Sequence, residues 1–515
     1  MPYLGKEPVR GQNRELDDIS GSFNGGNTAF TMQVGGVNTS AGSVNQLFIS
    51  VGGVMQNPGT DFTVASSTIT FTTPPASGLD FWGLIQGDAV DINTPADASV
   101  STAKIIDNAV GLAQMASGTD GNLITYDASG DPAHVATGSS GQVLTSNGAG
   151  AAPTFQASSK SFRNLIINGA MQVAQRGTSS TSSDFGLDRW KVQWSGQDEA
   201  LTHAQHALTS SDTGPWAKGF RNSLHITNGN QTSGAGAADY AEIRYVPEAQ
   251  DLACSGWDST SSSSKLTLSF WVKSSVAQNF YVWIYNGGGT KNYVFETGSL
   301  SADTWTKVTK TIPGASGVTV ANDNTGGLTM YFSMFEGTDR TASMSLDTWA
   351  TYSSSSRTPD MTSTWWTTND ATFEITGVQL EVGDTATDFE HRSYGDELRR
   401  CHRYFYRHVL GSWNTNGKSS ITDNASMYNA TLCFLTVPLP VTMRTEPTLG
   451  TSNSSDYYEA YVNGASVTFD TWGLDGVSTK RCLTINATLP SVTAGASALV
   501  RTDNAAAYLD AIAEL

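Results

Sequence analysis

Residues 266–289 read LTLSFWVKSSVAQNFYVWIYNGGG. Leu266, Leu268, Phe270 and Val272 alternate with Thr267, Ser269, Trp271 and Lys273. After a polar break, Phe280, Val282 and Ile284 alternate with Tyr281, Trp283 and Tyr285. A period of two places alternate residues on opposite faces of a strand, so the aliphatic-rich set is the core face. Asn286-Gly-Gly-Gly289 then marks a turn, and Asn324-Thr-Gly-Gly327 marks another before Leu328, Met330, Phe332 and Met334 repeat the alternation. Strands punctuated in this way predict a β-sandwich across residues 161–395, which also hold most of the tryptophans.

The face opposite that core carries Trp271, Tyr281, Trp283 and Tyr285. Flat rings on a sheet stack on sugar faces, so these four are the candidate glycan-binding residues. Solvent-facing rings lose burial energy unless something covers them. The cover is a glycan, a neighbouring subunit, or the other sheet if inside and outside are exchanged. Aromatic side chains are more often core or interface than ligand contacts.

The composition agrees with an all-β chain of several domains. Of 515 residues, 15% are charged, against about 25% in ordinary domains, while 51 are glycine. With 13 Trp, 17 Tyr and 20 Phe the chain can still build cores. A net charge of −18 excludes a nucleic-acid partner, which needs a basic surface. Cys254, Cys401, Cys433 and Cys482 are too scattered for a disulfide framework and read as free thiols. The N-terminal stretch lacks the apolar centre of a signal peptide, and no apolar run reaches membrane-spanning length. The expectation is a protein made in the cytoplasm and released as part of a particle, without membrane insertion.

Residues 1–95 form the first expected domain. QLFISV at 46–51 reads as a strand, Gly52-Gly53 as a turn, and Phe62/Val64 and Ile69/Phe71 as alternating pairs. Residues 96–160 are a neck. Ile106, Ala109, Val110 and Ala113 lie at helical spacing within 103–115, enough for two turns of a coil. Two glycine-rich copies follow, GTDGNLITYD at 118–127 and GSSGQVLTSNGAGAAPTFQ at 138–156. Each offers two adjacent apolar residues, too little for one chain to order unless copies bury them against each other. A flexible single-chain linker is the simpler alternative. Residues 396–515 form the last expected domain, opened by a helix over 396–410 (DELRRCHRYFYRHVL) with acids first and Arg399, Arg400, Arg403 and Arg407 after. Those arginines read as a solvated face or as a junction gripping carboxylates of adjacent chains.

The two glycine-rich copies resemble shaft segments of bacteriophage tail fibres. LFISVGGVMQNPGTDFTV and ITFTTPPASGLDFWG in residues 1–95 resemble the virion-attachment module of podovirus-like fibres. LTLSFWVKSS, FYVWIYNGGG, DTWTKVTKTI and FEITGVQLEVG look like the strand order of jelly-roll carbohydrate-binding modules. FRNLIINGAMQVAQRG and the DRW at 188–190, and HRYFYR with VPLPVTMRTEPTL near the end, are similar to phage structural proteins. The resemblance implies a homotrimeric tail fibre in the virion. Its N-terminal domain would dock on phage tail, adaptor or portal-proximal proteins. Its neck would intertwine three chains, and its jelly-roll and C-terminal β domains would meet host surface glycan or another receptor. A head or collar appendage fibre and a tailspike hydrolase are the alternatives.

Catalytic and cofactor signals are sparse. No Gly-x-Ser-x-Gly elbow, Walker loop or His-Glu-x-x-His is present, and no sustained β-helix repeat runs through residues 161–515. Asn322-Asp323-Asn324 lacks calcium-loop spacing and reads as a turn. Cys401-His402 with His408, and His203 with His206, lack the second pair of a structural zinc site. The expectation is therefore a binder without catalytic residues, metal or cofactor.

Overall fold

The alternation at 266–289 is realised as two strands, Lys265–Ser274 and Asn279–Asn286, in opposite layers of a jelly-roll-type sandwich. The computed structural model describes residues 13–87, 105, 120–129, 132–139, 142–157, 163–490 and 492–515. The chain divides into two compact units, Met1–Ala157 and Ser158–Leu515. Among the described residues the architecture is all-β, with strands paired antiparallel and short α-helices only.

In the sandwich, a six-stranded sheet runs Ser179–Ser180, Thr202–Ala207, Asn222–Thr227, Thr372–Val382, Lys265–Ser274, Thr306–Pro313. Its seven-stranded partner runs Phe185–Leu187, Trp190–Ser195, Tyr240–Tyr245, Leu328–Glu336, Asn279–Asn286, Lys291–Ser299, Trp349–Thr351. The predicted core set is buried between them: Leu266, Leu268, Phe270 and Val272 from the first sheet, and Phe280, Val282, Ile284, Met330 and Phe332 from the second. Phe270 meets Phe332 edge-on at 5.1 Å, and Phe280 meets Phe373 at 5.1 Å.

In the first unit, Leu47–Val51 lies between Phe81–Ile85 and Val54–Gln56, with Leu47, Ile49 and Val51 buried. Gly52 and Gly53 make the tight turn at φ +59° and +79°, a region in which a side chain would be strained. Each glycine-rich copy opens a β-hairpin, Leu123–Tyr126 with Pro132–Val135, and Gln142–Thr145 with Thr154–Ala157. The coil expected over 103–115 lies outside the described residues apart from Ile105.

The helix expected over 396–410 is shorter than its pattern implied. It spans Tyr394–Cys401, with the Ser393 hydroxyl accepting from the Asp396 amide, and the chain re-extends as strand Phe405–Leu410. The aromatic and β-branched residues of 404–409 favour a strand, and Tyr508–Ile512 pairs with it. Thr448–Thr451 completes that sheet, beside a seven-stranded sheet of residues 420–502 with its own core around Tyr458, Leu483, Ile485 and Val500.

Arginines at the junction, Arg189 buried and Arg176, Arg403 and Arg407 half-buried, tie this β module to the sandwich. Glu514 accepts from Arg189 Nη1 at 2.6 Å and Arg176 Nη2 at 3.1 Å, and the Arg189 guanidinium lies 3.6 Å from the Tyr404 ring centroid. Arg403 forks onto Glu248 at 2.6 and 2.8 Å, and Tyr404 Oη donates to the same carboxylate at 2.9 Å. Arg407 forks onto Asp510 of its own sheet at 2.8 and 2.9 Å and donates Nη1 to the Gln175 carbonyl across the junction at 3.0 Å. Arg403 and Arg407 therefore grip carboxylates of their own chain. Arg189 belongs to the Asp-Arg-Trp stretch and holds φ +74°, a conformation costing about 1–3 kcal/mol that its contacts outweigh. Burial opposes the Arg189 charge, but the Glu514 carboxylate raises its pKa above the ordinary value. Replacing Glu514 with Gln leaves a buried guanidinium unpaired and should cost roughly 3–5 kcal/mol in urea unfolding, whereas an unchanged midpoint would contradict this role for the junction.

Candidate functional site

Trp271 faces outward from the six-stranded sheet because its neighbours Phe270 and Val272 face the core. Across the strands it pairs with Thr376 on one side and Lys307 on the other. Opposite Phe270 the neighbouring strand carries a bulge at residues 377–378. Gly377 takes φ +64° there, and a Cβ would lie 2.6 Å from the Phe220 ring, so only glycine fits. The result is a cleft of about 300 Å³ with Ser269, Trp271 and Gly377 as floor. Its walls come from two loops. One supplies Phe220 and Lys218, and the other Thr387, Asp388, Phe389 and His391. Phe220, Phe389 and His391 pack mutually with ring centroids 4.8–5.1 Å apart. The His391 ring is held by Nε2, 2.8 Å from the Lys218 carbonyl oxygen.

Beside this cleft the same outer face carries an ion-pair row. Register aligns His225, Glu374 and Lys273 on three adjacent strands. Lys273 Nζ lies 2.8 Å from Glu374 Oε1 and 3.3 Å from Asp212 Oδ1. His206 Nδ1 is 3.0 Å from Glu374 Oε2, which also accepts from Ser223 Oγ at 2.6 Å. Burial opposes ionisation of Glu374, but the bonds from His225, Lys273 and Ser223 outweigh it and hold the carboxyl well below the usual range. His206, His225 and Glu374 bring three ligand-type atoms within 4.8 Å of one another. The Lys273 ammonium already stands where a cation would meet that carboxylate, so the group reads as an ion-pair cluster. Cross-strand register creates it, and no spacing in the sequence signals it.

The four aromatic candidates do not form one surface. Trp271 lines the cleft on the six-stranded sheet, while Tyr281, Trp283 and Tyr285 lie on the outer face of the other sheet. There Trp283 stacks on Tyr331 at 3.9 Å with planes 7° apart, and is 1% exposed. Met344, Leu346 and Tyr352 from the connection after Leu328–Glu336 cover it, together with the half-buried Tyr281 and Tyr285. The inside and outside assignment thus holds, and an intrachain segment supplies the cover.

The other sequence candidates separate. His203 is buried against Trp194 with Nε2 near the Ser182 carbonyl, apart from His206. Cys401 is buried, and burial pushes its thiol up. His402 packs on Tyr406, whereas His408 Nε2 lies 3.0 Å from the Ile421 carbonyl oxygen. Asp323 accepts from the Thr325 amide and hydroxyl, and Asn324 donates to the Arg444 carbonyl, as a turn tied to the neighbouring module.

Comparison with known proteins finds no matching family model and no matching curated protein. Similar solved structures include a bacteriophage CBA120 tailspike protein 4 domain, at 10% identity and TM-score 0.23 over 43% of this chain and 21% of that one. TmCBM61 in complex with β-1,4-galactotriose matches at 10% identity and TM-score 0.23, covering 43% of this chain and 99% of that one. The CBM22-1 xylan-binding domain of Paenibacillus barcinonensis Xyn10C matches at 11% identity and TM-score 0.22, covering 44% and 100%. Likeness this low carries no argument about function.

Two stability outcomes follow from the geometry. Trp283→Ala should lower the melting temperature through a core loss of roughly 3–5 kcal/mol; a melting temperature equal to the parent's would place the ring outside the packed face. Glu374 has a folded pKa below its ordinary value of 4.5, so its stabilisation is fully present above that pH and is lost progressively as pH falls from there to the folded pKa. Glu374→Gln should therefore cost roughly 3 kcal/mol at neutral pH, since it leaves Lys273 with Asp212 alone, and should flatten the acid limb of stability. An acid limb as steep as the parent's would contradict the assignment.

Proposed function

We propose that the chain is the subunit of a trimeric phage tail fibre that attaches the particle to its host by multivalent binding of surface glycan. The observation that carries the binding step is the cleft floored by Trp271. An outward, half-buried indole packed against the Ala170–Leu208–Phe220 cluster lines the cleft with polar groups and two aromatic-bearing loops, a combination suited to stacking on a sugar face while hydrogen-bonding its hydroxyls. A stacked ring contributes on the order of 1 kcal/mol, so a single site is weak and three sites per fibre act through avidity. The reading assigns binding without a catalytic step.

Two further observations support the fibre reading. The neck hairpins leave their apolar pairs in solvent, with Ile124 54%, Val143 47% and Leu144 48% exposed, as expected of segments that order against identical chains. The outward face of the N-terminal sheet presents Phe48, Met55 and Trp82 together, because Ser50 pairs with both Met55 and Trp82. That face suits docking on tail or adaptor proteins of the virion.

Affinity electrophoresis in host envelope polysaccharide tests the binding step. Trp271→Ala should weaken retention about fivefold per site, with melting as the control for folding. Loss of retention only in proportion to unfolded protein would sink it. For assembly, sedimentation of the full chain should give a trimer, and serine at Leu123, Ile124, Val143 and Leu144 should weaken it. A stable monomer at full length contradicts the trimer.

A further inference from the structure

A second cavity, of about 670 Å³, adjoins the Trp271 cleft, and His391 lines both. It lies where the segment 390–403 meets Val441 and Thr442 of the carboxy-terminal β module. Arg392, Arg399, Arg400 and Arg403 line it with Glu390 and Asp396, while Lys218, Lys307 and Asp388 line the cleft. Six cationic side chains thus face three acidic ones along one continuous track, on a chain with 29 basic against 47 acidic residues. This reverses the sign of the chain as a whole.

The cations divide by role. Arg403 is anchored on Glu248 and the Thr442 carbonyl, and Arg392 on Glu390, Glu397 and the carbonyls of Asn164 and Ile166. Lys218 is 3.7 Å from Asp388. Lys307 and Arg399 are exposed, and among the described residues neither has a carboxylate within ion-pair distance. Lys307 lines the cleft and Arg399 the second cavity, so each of the two adjoining cavities carries a cation without a carboxylate partner. Ammonium and guanidinium groups pair with carboxylate and sulfate oxygens, the guanidinium through two parallel hydrogen bonds, and a neutral sugar offers no such charge.

We infer that the ligand of this surface is an acidic polysaccharide, whose carboxylate or sulfate groups pair with Lys307 and Arg399 while a sugar ring rests on Trp271. The inference rests on the glycan reading of the cleft and adds the ligand's charge and a second contact region. It also gives the −18 chain a way to bind a polyanion, since attraction is local and distant repulsion is screened by salt.

The test uses the full chain in affinity electrophoresis with polygalacturonate, dextran sulfate, dextran and an unsubstituted galactan, and with single-stranded DNA as a non-sugar polyanion. At least one acidic polysaccharide should retain the chain about tenfold more strongly than the neutral polymers, with retention falling as salt rises. Polygalacturonate and dextran sulfate separate a carboxylate from a sulfate ligand. Arg399→Gln should reduce acidic retention about threefold to tenfold with unchanged melting and leave neutral retention as it was, and Lys307→Gln, inside the cleft, should reduce acidic retention by a similar factor. Neutral retention that is lost in Trp271→Ala, without acidic preference or any Arg399→Gln effect, overturns the inference and leaves the cleft reading standing. Equal retention by single-stranded DNA overturns it as unspecific polyanion exchange. Failure of every polymer to retain the chain overturns both.

Discussion

Arg189, buried between the Tyr404 ring and the Glu514 carboxylate, is the contact on which the second unit depends. A charged group removed from water needs a fixed counter-charge, and that need gives the junction one geometry. Arg403 with Glu248 repeats the device along the same seam, and Arg407, held by Asp510 of its own sheet, reaches across it to the Gln175 carbonyl. Sandwich and β module are thereby held in register, and the Tyr394–Cys401 helix is pinned between them through Glu397, which accepts from the Asn168 amide. The cavity at residues 390–403 exists only because both walls are fixed.

The same seam explains why the site is composite. The Trp271 cleft needs only the sandwich, with its Gly377 bulge and flanking loops. The arginine cavity needs the module as well, through Val441 and Thr442. Unit-wide rigidity matters for a weak binder, because fixed contacts lose little conformational entropy on binding.

Much of the fold was legible because strand alternation is a local property. The core faces of 266–272 and 280–284 and the Gly52-Gly53 turn are as their patterns imply. Pairing is not local, and there the sequence reading ran out. Trp271 and Trp283 occupy equivalent outward positions on their strands, yet their strands lie in different sheets. The connection that buries Trp283 joins strands far from it in sequence, and carries no periodicity. Helical spacing at 396–410 was cut short because Tyr508–Ile512 offered the aromatic run a strand partner. The His206–His225–Glu374–Lys273 cluster arises wholly from register. The arginines of 399–407 read as a solvated face or as a grip on adjacent chains; Arg399 is exposed, and that Arg403 and Arg407 hold carboxylates of their own chain is visible only in the folded chain.

Hydrogen–deuterium exchange of the full chain, with and without an acidic polysaccharide, tests most directly where this protein meets its ligand. The account predicts added protection in the segments at residues 214–220 and 387–400, beside Trp271 and along the arginine cavity, with the outer face at 281–285 unchanged. Protection confined to residues 281–285 and 344–352, or to the 420–502 sheet, would contradict it.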